Sequence, residues 1–144
     1  LERVLRTINK PCLVTNRKFK AISKAVVAYD GGDSCKKALS FLSGNEFLKS
    51  LDIHIVTCVE GHNESQATQY LKEAESILRK ADINPSCEML SGEIETAISN
   101  YVEEIKVDLL ILGAYGHSRI REFLIGSTTT ELLRSCHVPV LCFR

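Results

Sequence analysis

The sequence lacks any long apolar run. No stretch approaches the roughly 18 residues that a membrane-crossing helix needs, and no basic segment with a short apolar core opens the chain, so neither a span nor a secretory leader is expected. Net charge is lacking too: 18 Lys and Arg balance 18 Asp and Glu. A general nucleic-acid binder carries a strong basic excess, and that class is set aside. The six cysteines (Cys12, Cys35, Cys58, Cys87, Cys136 and Cys142) form no C-x-x-C pair and no Cys/His ligand spacing. Cys58, Cys87 and Cys142 sit in apolar, strand-like runs, where a thiol behaves as a small hydrophobe. The expectation is a cytoplasmic protein without a disulfide framework. Two phosphate-binding loops are also missing, since neither G-x-x-x-x-G-K-[ST] nor G-x-G-x-x-G occurs.

What is present suits one domain. The 144 residues are 44% hydrophobic and 25% charged, enough to bury a core and too apolar for disorder. The charge is unevenly placed. Residues 1–24 hold seven Lys/Arg and one Glu, whereas residues 25–144 hold eleven Lys/Arg and seventeen Asp/Glu; the basic head reads as a solvated linker. Its first part also resembles the far end of the chain. "LRTINKPCLVTN" (5–16) set against "LRSCHVPVLCFR" (133–144) aligns Leu5 with Leu133, Arg6 with Arg134, Pro11 with Pro139 and Leu13 with Leu141. Helix end, proline and short apolar strand follow in the same order, as in an internal repeat. With Leu1 where a Met would start a chain, residues 1–17 are expected to be the remnant of a preceding domain. Residues 18–23 then form a linker and 24–144 one complete domain.

From Lys24 onward strands and helices alternate. "KAVVAYD" (24–30) is an apolar, β-branched run ending in Asp-Gly-Gly, which predicts a buried strand. Residues 33–50 open with capping residues and place Cys35, Ala38, Leu39 and Leu42 on one helical face. Strands are predicted again at 52–60, 84–90, 107–115 and 138–144. Helices are predicted at 64–82 (Ala67, Tyr70, Leu71, Ala74, Leu78, Ala81), at 94–105 (Ile94, Ala97, Ile98, Tyr101, Val102, Ile105) and at 127–136, where Thr128 and Glu131 have capping-box spacing. Helix-length connections imply parallel strands and right-handed crossovers. The expected fold is α/β, a doubly wound three-layer sandwich.

In such a sheet ligands lie beyond the carboxyl ends of the strands, where strand order reverses. Two loops leave strands there with small or acidic residues: "YDGGDS" after the first strand and "GAYGHS" after the fourth. If those strands are neighbours, Asp30 and Gly113 face one crevice. Glycines at 113, 116 and 126 would let backbone N–H groups close on phosphate oxygens, with Ser127 and Thr128 heading a helix whose dipole favours an anion.

The spacing Gly113-x2-Gly116-x9-Gly126-Ser127, together with the strand "VVAYDGGDSCKKAL", resembles the ATP-binding universal stress proteins over about 24–144. The resemblance implies five parallel strands in the order 3-2-1-4-5 with four helices. It implies that Asp30 contacts the adenosine portion and that the backbone of Cys58 bonds adenine. Gly113, Gly116, Gly126, Ser127 and Thr128 would hold ribose and phosphates of ATP, ADP or AMP, and Mg2+ can accompany a triphosphate. It also implies pairing of the last strand (138–144) with that of a second such domain, in tandem or as a homodimer. Residues 11–16 are therefore expected beside 138–143, where they would cover a bare sheet edge. The sequence departs from the pattern at Tyr29, where archaeal members carry a small residue, and in its cationic "HSRIRE" (117–122). There Arg119 and Arg121 stand either as phosphate ligands or as solvent-facing side chains.

The expected function is regulatory adenine-nucleotide binding in a stress response, with little or no catalysis. The alternatives are a slow ATPase and a dimerisation domain with no nucleotide. No oriented base or metal pair is evident for in-line hydrolysis. His117 reads as polar surface, His54 as structural or surface, Asp30 as a hydrogen-bond acceptor and Cys35 as a packing thiol rather than a reactive one. Residues 60–69 read as a solvated loop entering a helix, placed to lie over the crevice.

Overall fold

The computed structural model describes residues 9–15, 20–59, 63–113 and 137–144. Within them six strands form one sheet: β1 (Cys12–Val14), β2 (Lys24–Ala28), β3 (Asp52–Val59), β4 (Ser86–Ser91), β5 (Leu109–Gly113) and β6 (Val140–Phe143). The order is β1-β6-β5-β2-β3-β4. Strands β2 to β6 pair in parallel, and β1 runs antiparallel to β6. The expected five-stranded, wholly parallel sheet is thus corrected to a six-stranded mixed one. Residues 12–14, assigned to a preceding domain, were not counted in that sheet; they lie beside β6 as expected and cover its edge, whose N–H and C=O groups need partners.

The helices are α1 (Asp33–Ser43), α2 (Glu46–Lys49), α3 (Glu64–Arg79) and α4 (Ile94–Glu104). The single helix expected over 33–50 is two. Gly44 ends α1, and the Asn45 side chain then accepts from the Leu48 N–H at 3.2 Å, capping α2. The helix expected at 127–136 lies outside the described residues.

Alternation along β2 divides the core. Ala25, Val27 and Tyr29 face one side, packed with Ala38, Leu39 and Leu42 of α1 and Ala74 and Leu78 of α3. Val26 and Ala28 face the other, with Ile98 and Val102 of α4. Both faces of β2 are therefore dry, which is why its sequence is apolar throughout. Each fully buried Leu on α1 contributes about 2 kcal/mol, and a charge at Leu39 would remove one wall of this layer. The helices stop where the chain takes left-handed backbone, at Asp82 (φ 61°) after α3 and Lys106 (φ 55°) after α4. The turn after α4 is closed by the Val107 N–H donating to the Val102 carbonyl at 2.9 Å.

Asp108 fixes how β2 enters beside β5. Its buried carboxylate accepts from the Ser23 hydroxyl at 2.7 Å and from the Ser23 and Lys24 N–H groups at 3.1 Å, and it pairs with Lys20 at 2.5 Å. Burial pushes the carboxyl pKa up, but these donors outweigh it and hold Asp108 well below the ordinary carboxylate value. The sequence from 20 to 24 is thereby tied to the start of β5, and the two strands enter in register.

Candidate functional site

The strands leave β2 in opposite directions: β3 and β4 lie on one side, β5 and β6 on the other. The reversal falls between β2 and β5, and their carboxyl ends define the crevice. Ala28 pairs with Leu112 of β5 and with Val56 of β3. Asp30, two residues past Ala28, Gly113, one past Leu112, and Cys58, two past Val56, therefore come to the same end of the sheet.

Each is positioned by local bonds. Asp30 ends the strand in a side-chain turn, its Oδ1 accepting from the Gly32 N–H at 2.8 Å. Gly32 is the N-cap residue of α1, so the same turn starts the helix and aims its positive end at the crevice. Gly31 has φ +76°, and a Cβ there would lie 2.4 Å from the Tyr70 ring. A side chain is thus barred twice, by the backbone and by α3. The β2–β3 seam continues one step past the strand, with the Tyr29 N–H donating to the Val56 carbonyl and the Thr57 hydroxyl to the Tyr29 carbonyl, both at 2.8 Å. Peptide groups of Asp52 and Val56 face β2, so by strand alternation those of Cys58 are turned toward the place that β2 vacates at Asp30.

Gly113 has a structural duty that its spacing alone did not reveal. An added Cβ would meet the Cys35 sulfur at 2.5 Å and its amide nitrogen at 2.8 Å. The first turn of α1 rests directly on the end of β5. Cys35 donates weakly to the Ala28 carbonyl at 3.4 Å, and burial, with the Asp30 charge adding, pushes its thiol well above the ordinary range. This is a packing thiol, not an activated one. Tyr29 is buried in the same layer, edge-on to Tyr70 with ring centroids 6.4 Å apart. Among the described residues its hydroxyl has no hydrogen-bond partner within normal distance, and the Glu73 carboxylate is its charged neighbour. Burial first and that carboxylate second drive its pKa upward.

The sequence singled out Asp30, Cys58 and Gly113, and these are gathered at one sheet end. Gly116, His117, Arg119, Arg121, Gly126, Ser127 and Thr128 lie outside the described residues. His54 lies near the opposite end of its strand, where its ring bonds the Tyr101 hydroxyl at 3.0 Å and approaches Asp52 at 3.4 Å. Thr57 and Tyr70 were missed. The alternating pattern of β3 treats Thr57 as one more strand residue, and only the Asp-Gly-Gly run hinted that something packs close to residue 31. Among the described residues no three His, Cys, Asp or Glu side chains converge as metal ligands, and no helix is long and apolar enough to cross a membrane.

The model of the universal stress protein family matches residues 21–144. Over all 144 residues the chain is 48% identical to universal stress protein Slr1230 of Synechocystis, covering 100% of this chain and 50% of that protein. A universal stress protein structure from Archaeoglobus fulgidus superposes with a TM-score of 0.76 at 23% identity, over 99% of this chain and 52% of that one. A second, from Archaeoglobus fulgidus in complex with dAMP, gives 0.67 at 21% identity, over 85% of this chain and 98% of that one. The chain thus spans about half the length of the first two.

Proposed function

Because the chain belongs to the universal stress protein family, we propose that it binds an adenine nucleotide at the carboxyl ends of β2, β3 and β5. One observation carries the reading. Asp30, Cys58 and the α1 N-terminus share one end of a doubly wound sheet, and a solved family member is a complex with dAMP. The Asp30 carboxylate, already oriented by Gly32, offers its second oxygen to a ribose hydroxyl. The Cys58 peptide bonds the adenine edge, with its thiol incidental.

Gly113, Gly116, Arg119, Gly126, Ser127 and Thr128 are assigned to ribose and phosphates. ATP is the proposed ligand, ADP and AMP being shorter variants. Mg2+, when present, would be held chiefly by phosphate oxygens, since Asp30 is the one carboxylate named for the site. The sequence offers no evident base or metal pair for in-line attack, and the role proposed is regulatory binding with little or no hydrolysis, in the cytoplasm. Residues 1–17 are proposed as the last strand region of a preceding copy. The antiparallel β1–β6 pairing then stands in miniature for the contact between two such domains, in tandem or as a homodimer.

Calorimetric titration with ATP, ADP and AMP tests the binding claim. Saturable one-site binding, weakened at least tenfold by Asp30→Ala, is expected; heats indistinguishable from dilution for all three nucleotides would overturn it.

A further inference from the structure

Cys12 and Cys142 stand directly opposite each other across the β1–β6 ladder. The Leu110 N–H donates to the Pro139 carbonyl at 3.0 Å, so in β6 the peptide groups of 139, 141 and 143 face β5. Those of 140 and 142 consequently face β1, and Cys12 and Cys142 form a hydrogen-bonded antiparallel pair, with Cα atoms about 5.5 Å apart. That separation falls in the range that disulfides span. Opposed residues project on the same face, and both cysteines pack in the cluster containing Val140 and Leu112. Both are free thiols, Cys12 half-buried and Cys142 buried.

We propose that Cys12 and Cys142 are a reversible thiol-oxidation site. Its oxidant is a low-molecular-weight disulfide of the glutathione class, and its product is a cross-strand disulfide that locks β1 onto β6. The Cys12 thiolate attacks one sulfur of the small disulfide, forming a mixed disulfide and expelling one small thiolate, which takes up a proton. Cys142 then loses its proton and attacks the Cys12 sulfur, forming the protein disulfide and expelling the second small thiol. Two protein thiols are oxidised, one small disulfide is reduced to two thiols, and the protons lost by the protein sulfurs end on those thiols.

Access sets the order, since half-buried Cys12 is the more accessible of the two. Burial first, with the neighbouring Cys12 second, pushes the Cys142 thiol up to about 12, so its deprotonation makes the closing step slow and faster at higher pH. Directly opposed pairs hold Cβ atoms about 4.5–5.5 Å apart, wider at hydrogen-bonded positions, against about 3.8 Å in a cystine. Closure therefore draws the strands together, and a strained disulfide is readily reduced again. The other described cysteines are placed apart from this pair: Cys35 and Cys87 pack on the opposite face of the sheet, and Cys58 lies on β3, three strands from β6.

The test is oxidation of the purified chain with glutathione disulfide, followed by thiol blocking, non-reducing digestion and mass spectrometry. The expected product is a peptide pair joined through Cys12 and Cys142, lighter by two hydrogens than the reduced pair and released by dithiothreitol. Cys12→Ser should abolish it. Cys136→Ser, which changes the other cysteine of the same tryptic peptide, should retain it. Cys12 found only as a glutathione adduct, Cys12 joined to any other cysteine, or no oxidation after prolonged treatment at pH 8.5 (about the free-thiol value) would each overturn the proposal.

Discussion

A Cβ placed on Gly113 would stand 2.5 Å from the Cys35 sulfur and 2.8 Å from the Cys35 amide nitrogen. The end of β5 and the first turn of α1 therefore touch through a residue that can only be glycine. Gly113→Ala should cost about 1–3 kcal/mol, the usual range for overpacking a core contact, read as a lower urea midpoint. Adding Cys35→Ala should recover only part of the loss, because the amide nitrogen remains in the way. Full stability in the single variant would show that α1 can shift without cost.

Gly31 carries a double constraint, from its backbone at φ +76° and from the Tyr70 ring. Gly31→Ala should lose about 1–2 kcal/mol for the left-handed backbone, with a further loss from displacing the ring. In a double-mutant cycle with Tyr70→Ala, the ring contribution should vanish and the backbone contribution persist. An additive cycle would mean that Tyr70 does not press on this turn.

Asp108 makes stability depend on acid. Its folded pKa lies below the unfolded value, so its contribution is present above the ordinary carboxylate pKa of about 3.9 and is lost as pH falls through the folded value. Asp108→Asn should cost about 1–3 kcal/mol at neutral pH through lost charge-assisted bonds. It should also flatten the decline in denaturation midpoint below about pH 4. An unchanged acid profile in the variant would place that decline on other carboxylates.

Turnover should be negligible. With labelled ATP and stoichiometric protein, hydrolysis slower than about one event per minute is expected, because positioning and charge stabilisation of the γ-phosphoryl are what set such rates. Several turnovers per minute would make the slow ATPase reading the better one. Gly116→Val with Gly126→Val should reduce nucleotide affinity at least tenfold if amide hydrogens close on the phosphates.

Much of the architecture was legible because both physical signals are local. Apolar β-branched runs such as "KAVVA" mark strands buried on both faces, and the stripe Cys35–Ala38–Leu39–Leu42 marks a helix packed on one. The break at Gly44 and Asn45, a helix stop beside a capping residue, was missed because the apolar pattern continues through Phe47 and Leu48. The pairing of "CLV" with "VLC" was legible through the likeness of the two chain ends. Assigning residues 1–17 to a preceding domain nevertheless left that strand out of the count, so a sheet of five was expected. At the site, Asp30 was marked by the strand that precedes it. Gly113 was noticed for one reason and is required for another, since its clash with Cys35 exists only once β5 and α1 have packed. Thr57 and Tyr70 act through contacts with residues 29 and 31, separations that no periodicity encodes.

The most direct test of the nucleotide reading is a backbone amide NMR titration of this chain with ATP. The account predicts saturable shifts concentrated on Asp30, Gly32, Cys58 and Gly113, with the His54 and Tyr101 region near the other end of the sheet unmoved. Shifts absent at millimolar nucleotide, or confined to residues away from the ends of β2, β3 and β5, would contradict it.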